Sequence, residues 1–459
     1  MKKENATINK SSRTAELQDK DRKYVWHPFT QQQDWVKDDF LVIERAEGVH
    51  LYDTEGRKYL DGVSSLWCNV HGHRVPEIDD AVRAQMDKVS HSTFLGLSNV
   101  PAIELAEKLV QITPPGLDRV FYSDSGSEAV EIALKMAFQY WQLTGKPNKK
   151  KFVKLTNSYH GDTLGSVSVG GIDLFHQIFK PLLFDSFSAP SPYVYRWPTG
   201  SDYYKVKDEA LAALEKVLAE HHEEIAAFVM EPLMQGAAGM INQPDGYIAE
   251  ARRLTRKYNV LLIFDEVATG FGRTGNMFAS DQESVSPDIM AVAKGLTGGY
   301  LPLAATLTSE QIYEAFLGEY AEMKAFFHGH TFTANPLSCA AALASLELFE
   351  KNRILDGLGN KIHYLANRLQ KFYALPAVGQ VRLAGMMGGI ELVRDRDTKE
   401  MYPAERKIAY RVCERAREKG AVLRPIGHVM ILMPPLAMTR DHLEELLDII
   451  SEAIIEETA

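Results

Sequence analysis

Three short segments of this sequence hold residue types that are unfavourable to bury and useful in catalysis. In MAVAKGLTGG, Lys294 follows an apolar run and precedes a glycine-rich turn. Lysine is rarely buried unless paired or functional. In an apolar pocket its pKa falls, and the neutral amine attacks aldehydes. In FDEVATGFGRTG, Asp265 closes the apolar run VLLIF. A carboxylate there needs a partner to stay ionised, and a protonated ring nitrogen would serve. In the third segment, Ser123-Asp124-Ser125-Gly126-Ser127, small residues lead from the run RVFYS into a helical pattern. Backbone N–H groups at a helix start attract an anion such as phosphate. Each segment alone also fits an ordinary role: a lysine reaching solvent, a buried salt bridge, a capped turn. Together they match one cofactor, pyridoxal phosphate, which carries an aldehyde, a ring nitrogen and a phosphate. It acts as an electron sink when its nitrogen stays protonated. Lys294 then reads as the lysine that binds the aldehyde and carries a proton, and Asp265 as the partner of the nitrogen.

The elements that must position these residues follow from apolar periodicity. From about residue 101, helical patterns (PAIELAEKLVQI, SGSEAVEIALKMAFQYW, YIAEARRLTRKYN) alternate with short continuous apolar runs (RVFYS, KFVKL, IAAFVMEP, VLLIF). This alternation predicts an α/β fold with a mainly parallel sheet covered on both faces. The three segments all fall where strands end, the usual place for ligands in open sheets. Upstream, GVHLYDTEGRKYLDG reads as a hairpin. After about residue 340 the pattern changes to that of a smaller α+β domain. The expected organisation is a mobile tail at 1–23, an N-terminal segment at 24–75 joining the small domain, a large cofactor-binding domain at 76–340 and a C-terminal small domain at 341–459.

Composition narrows the function further. Apolar residues make up 45% of the 459-residue chain and charged residues 24%, as in ordinary globular proteins. The formal net charge of −10 argues against nucleic acid as the main partner. No apolar run reaches the roughly 18 residues of a membrane span. Residues 1–23 lack the apolar core of a secretory signal, so a cytoplasmic location is expected. Three widely spaced cysteines, Cys68, Cys339 and Cys413, suggest reduced core or pocket thiols and no disulfide framework. His71, His73, His328 and His330 read as loop and pocket residues, with no metal site expected.

The combination SDSGSEAVE, YHGDT, EPLMQGAAGM, LLIFDEVATGFGRTG, AKGLTGG and HGHTFTANP resembles the class III pyridoxal-phosphate aminotransferases. The resemblance runs from about Trp26 to the C-terminal region. It implies a fold-type I transferase that works by a ping-pong mechanism as a homodimer with active sites at the interface. It also implies roles for single residues. Ser125, Gly126 and Ser127 would hold the phosphate, and Tyr159 would stack on the ring and meet substrate. Gln235 would lie near the cofactor's phenolic oxygen. Thr331, beside His330 and Gly329, would reach the site of the other subunit. Phe29, Leu66 and Trp67 would shape the substrate channel, and Arg424 would bind a substrate carboxylate.

Within the family, WHPFTQ, DGVSSLWCNVHGH, HSTFLGLSNVPA and FYSDSGSEAVEIALKMAFQYW are similar to the biotin-pathway branch. That branch aminates 8-amino-7-oxononanoate to 7,8-diaminononanoate, with S-adenosylmethionine or lysine as donor. Members that use S-adenosylmethionine typically have Tyr where this chain has Phe29 and Trp where it has Leu66. The ω-amine:pyruvate aminotransferases share the Leu-Trp-Cys motif and are the first alternative, with ω-amino acids, diamines or taurine as donors. A pyridoxal-phosphate aminomutase and a non-catalytic cofactor-binding regulator are the others.

Overall fold

The computed structural model of the protein describes residues 11–459. Its centre is a seven-stranded sheet in the order Arg119–Ser123, Ala304–Thr308, Ile289–Val292, Leu261–Asp265, Ile225–Met230, Lys151–Leu155, Phe187–Ala189. Only Ala304–Thr308 runs against the rest, pairing antiparallel with both of its neighbours. The other pairings are parallel. Sequence periodicity finds Ile225–Met230 and Leu261–Asp265 most clearly, because both faces are covered and nearly every position is apolar. It misses Phe187–Ala189, which has only three residues, and AATLT, whose two threonines break up a short apolar run.

The alternation of side chains across the sheet divides the core. Ala227, Val229 and Ile263 pack on one face with Ala129, Val130, Ala133 and Ala137 of the helix Gly126–Leu143. Phe228, Met230, Leu262 and Phe264 pack on the other, against Leu214 and Leu218 of Tyr203–His221 and Ile248 and Leu254 of Tyr247–Lys257. Small residues on the first helix let it lie close to the strands, which fixes its N-terminus at their carboxyl ends.

A second, antiparallel sheet orders Val378–Ala384, Met387–Leu392, Val429–Leu432 and Arg424–Ile426. The expected N-terminal hairpin is present as His50–Asp53 and Lys58–Asp61. Its second strand pairs in parallel with Ala421–Val422, so the two ends of the chain share one small sheet.

The expected tail needs correction. Residues 1–10 lie outside the described residues, but Ser12–Tyr24 is a helix capped by Ser11, whose hydroxyl accepts from Thr14 N at 3.3 Å. It docks through polar contacts, with Gln18 Nε2 donating to Phe40 O at 2.6 Å and Ser11 Oγ to Glu55 at 2.8 Å. A helix held by polar groups has no apolar stripe, so periodicity did not report it.

Phe264 is fully buried between the sheet and its covering helices. Phe264→Ala should reduce stability by about 3–5 kcal/mol, read as a lower urea midpoint with an unchanged m-value. A midpoint equal to wild type would contradict this packing.

Candidate active site

A cavity of about 760 Å³ opens at the carboxyl ends of the parallel strands and is lined by Trp67, Ser125, Gly126, Ser127, Tyr159, Asp265 and Lys294, among others. The fold thus gathers residues from five separated segments at the crevice where an open sheet binds ligands.

Lys294 is the residue on which the site turns. Burial lowers its pKa, while Asp265 and Glu231, the nearest carboxylates acting on it, oppose that shift. Its Nζ lies 5.5 Å from the Trp67 ring centroid. The backbone at Lys294 is left-handed, with φ of +46°. A non-glycine residue held there stores strain, and such strain clusters at functional sites.

Asp265 ends its strand with both oxygens engaged. Oδ2 is 2.7 Å from His160 Nδ1, and Oδ1 accepts from Val267 N at 3.0 Å. His160 is buried, and its other nitrogen, Nε2, has no partner among the described residues. The sequence reading took Tyr159 from YHGDT and passed over His160. The histidine was in view, but its contact lies 105 positions away and leaves no local trace.

Glu231 also lines the cavity. Its carboxylate accepts from Tyr159 N at 3.1 Å and Gly236 N at 2.9 Å. Burial pushes its pKa up to about 7, and Asp265 adds to the rise. Tyr159 donates its hydroxyl to Asp162 at 2.7 Å, which fixes the ring over the cavity.

The helix start beside them is built to accept an anion. Ser125 caps it, and Glu128 closes a capping box by accepting from Asp124 N and Ser125 N, each at 2.9 Å. The N–H groups of Gly126 and Ser127 keep no partner among the described residues. Two close approaches shape the cradle. A Cβ on Gly126 would stand 2.5 Å from Val267, and one on Gly161, at φ +114°, would stand 2.2 Å from Ser127 Oγ. Only glycine fits at either position.

Other expected residues sit apart from this cavity. Gln235 is fully buried, with its amide taken up by Ser191 Oγ and, at 2.9 Å, by Thr156 O, and it is not among the residues lining the cavity. Phe29 and Arg424 line two adjoining cavities of about 510 and 380 Å³. Phe29 reaches the centre through Phe175, whose ring is 5.3 Å from it and 6.4 Å from that of Tyr159. Arg424 is exposed, and its side chain makes no hydrogen bond or ion pair among the described residues. Leu66 is half exposed beside Trp67. His330 Nδ1 lies 3.2 Å from Asp124, while Gly329 and Thr331 stand in a partly open loop near Leu95 and Phe332.

Residues 32–454 match the family Aminotransferase class-III. An adenosylmethionine-8-amino-7-oxononanoate aminotransferase of Anoxybacillus flavithermus is 56% identical over 440 residues, covering 96% of each chain. The crystal structure of the enzyme of that name from Methanocaldococcus jannaschii superposes with a TM-score of 0.93 at 48% identity, covering 97% of this chain and 100% of that one. The ω-transaminase from Pseudomonas jessenii, solved in complex with PMP, gives 0.92 at 34% identity, covering 96% and 98%.

The raised pKa of Glu231 sets a pH dependence. A carboxyl whose folded pKa lies above its unfolded value near 4.5 destabilises the fold progressively as pH rises from there through about 7. Glu231→Gln in the cofactor-free protein should therefore compare better with wild type at pH 8 than at pH 5. The change in the stability difference should be about 2–3 kcal/mol, measured by urea unfolding at both pH values. A difference independent of pH would show that Glu231 stays ionised throughout.

Proposed function

Because the chain belongs to the class III aminotransferases, we propose that it transfers an amino group to 8-amino-7-oxononanoate, giving 7,8-diaminononanoate in biotin biosynthesis. The donor is S-adenosylmethionine or lysine. The observation that carries the chemistry is a half-buried lysine with its pKa lowered by desolvation and a buried, doubly held aspartate, lining one cavity beside a helix start with free N–H groups. The support for the substrate is the relative's name at 56% identity over nearly the whole chain.

The family's cofactor is pyridoxal phosphate, and the cavity fits it. The free N–H groups of Gly126 and Ser127 suit the phosphate, with Ser125 beside them. The Asp265 carboxylate suits a protonated ring nitrogen, and Tyr159 supplies a flat face. When bound, pyridoxal phosphate supplies the carbonyl that receives the amino group and a ring that takes up electrons.

The chain's own residues do the rest. Burial favours the neutral amine of Lys294, so Nζ can take the proton from the donor carbon and return one to the acceptor carbon. His160 and the Val267 N–H orient the Asp265 carboxylate toward the cavity. Arg424, its side chain free of internal partners, binds the acceptor carboxylate with two parallel hydrogen bonds. Phe29, Leu66 and Trp67 line the path for its apolar chain. Thr331 and His330 share a loop with exposed Phe327 and Phe332, and Gly329 of that loop approaches exposed Leu95; this face pairs with a second copy so that Thr331 reaches the partner's phosphate.

Lys294→Ala should lose both the visible absorbance of the loaded enzyme and turnover. Asp265→Asn should keep partial cofactor binding with turnover down about a hundredfold or more. A yellow, active Lys294→Ala enzyme would overturn the assignment. Donor choice is read by titrating the yellow enzyme with S-adenosylmethionine, lysine, alanine, a diamine and taurine. Recovery of the yellow form is then followed with 8-amino-7-oxononanoate and with pyruvate. Recovery by pyruvate alone would favour the second reading, an ω-amine:pyruvate aminotransferase, which the fold shared with the Pseudomonas jessenii enzyme supports.

A further inference from the structure

We propose that Asp61 is a positioning residue for this reaction: it holds a left-handed turn, Ser64–Trp67, that sets Trp67 and Leu66 on the substrate side of the Lys294 cavity. The inference rests on the aminotransferase reading above.

Four successive residues, none of them glycine, have left-handed backbones: φ is +48° at Ser64, +41° at Ser65, +67° at Leu66 and +73° at Trp67. Crowding between Cβ and the carbonyl disfavours each one, and L-residues visit this region singly rather than in runs. Such a run persists only where its surroundings over-determine it. Asp61 supplies the densest of these restraints. Its Oδ1 accepts from Ser65 N and its Oδ2 from Ser65 Oγ, both at 2.8 Å, and Oδ2 lies 3.0 Å from His73 Nε2. The side chain is fully buried. Further ties come from Ser64 Oγ, which donates to Met433 O at 2.6 Å, and from Arg273 Nη2, which donates to Asn69 O at 2.7 Å.

The turn delivers side chains that matter. Trp67 forms a wall of the cavity, backed by Gly236, where a Cβ would stand 3.3 Å from the indole. Its indole N–H is buried and has no partner among the described residues. Leu66, the preceding residue, is half exposed. Asp61 also pairs with Val422, two residues before Arg424. The carboxylate therefore sits where the strand leading to Arg424 meets the turn carrying Trp67. Relaxing one residue of the run to a right-handed backbone would swing the following Cα–Cβ bonds and carry Trp67 off the wall, while Asp265 stays at the end of its strand and Lys294 in the turn just after Ile289–Val292.

The test uses the holoenzyme and Asp61→Ala, Asp61→Asn and Ser65→Ala, with two readouts: hydrogen exchange over residues 63–70, and KM and kcat for 8-amino-7-oxononanoate. In Asp61→Ala, exchange in that segment should rise about tenfold or more, with the rest of the chain unchanged. The visible band should remain, and KM should rise about tenfold with kcat within roughly threefold. Asp61→Asn keeps an acceptor for the Ser65 N–H and should stay near wild type. Ser65→Ala removes one contact, should raise KM about threefold, and decides the matter if Asp61→Ala does not fold. Unchanged exchange in Asp61→Ala would overturn the proposal, as would wild-type KM in Ser65→Ala. So would KM and kcat failing together in both Asp61 variants. If wild type itself rejects 8-amino-7-oxononanoate, the substrate reading falls, and the exchange measurement still decides the role of Asp61.

Discussion

Removing the Lys294 amine from water is the constraint around which this molecule is arranged. An ammonium drawn away from water is unfavourable unless it is neutralised or faces negative charge, and both influences act on Lys294. Desolvation pulls the amine toward its neutral form while Asp265 and Glu231 pull the other way. Those carboxylates are themselves buried and need partners, which His160, the Val267 N–H and the N–H groups of Tyr159 and Gly236 provide. Each group is therefore held by hydrogen bonds whose loss would leave a buried polar group unsatisfied. That is the condition for keeping a nucleophile, a carboxylate and an anion-binding helix start in fixed relation before any ligand arrives.

The sheet makes this arrangement affordable in physical terms. Its strands are apolar on both faces and locked between two helical layers, so their carboxyl ends are rigid platforms. Backbone strain can then be held at those ends and at the turn facing them. Lys294, the run Ser64–Trp67 and glycines such as Gly161 have left-handed conformations around one cavity. None of these would be stable in an isolated loop.

The periphery has a different character. Arg424, Phe29 and Leu66 come from short strands and loops joined by the small sheet that unites Lys58–Asp61 with Ala421–Val422. They line adjoining cavities or stand partly exposed. The chemical centre is thus built on a continuous core, and the surfaces suited to choosing a substrate are built on segments that can vary without disturbing it.

Much of this was legible in the sequence, and the legible parts share a cause. Continuous apolar runs mark strands buried on both faces, so the positions closing them, Asp265 and the Ser125–Ser127 turn, could be placed from neighbours alone. Lys294 stood out because a lysine after MAVA has no local reason to be there. What local pattern could not carry was any pairing made by folding. His160 meets Asp265 across 105 residues, Gln235 is diverted to Ser191 and Thr156, and Asp61 clamps a turn whose handedness no residue type announces. The helix Ser12–Tyr24 was hidden because polar contacts hold it, and AATLT because its polar threonines are buried by neighbours distant in sequence. The sequence by itself determined which residues can do chemistry and which strands present them, since both follow from local composition. Only the tertiary structure decided which partners tune them, because hydrogen bonds and desolvation depend on distances that sequence separation does not encode.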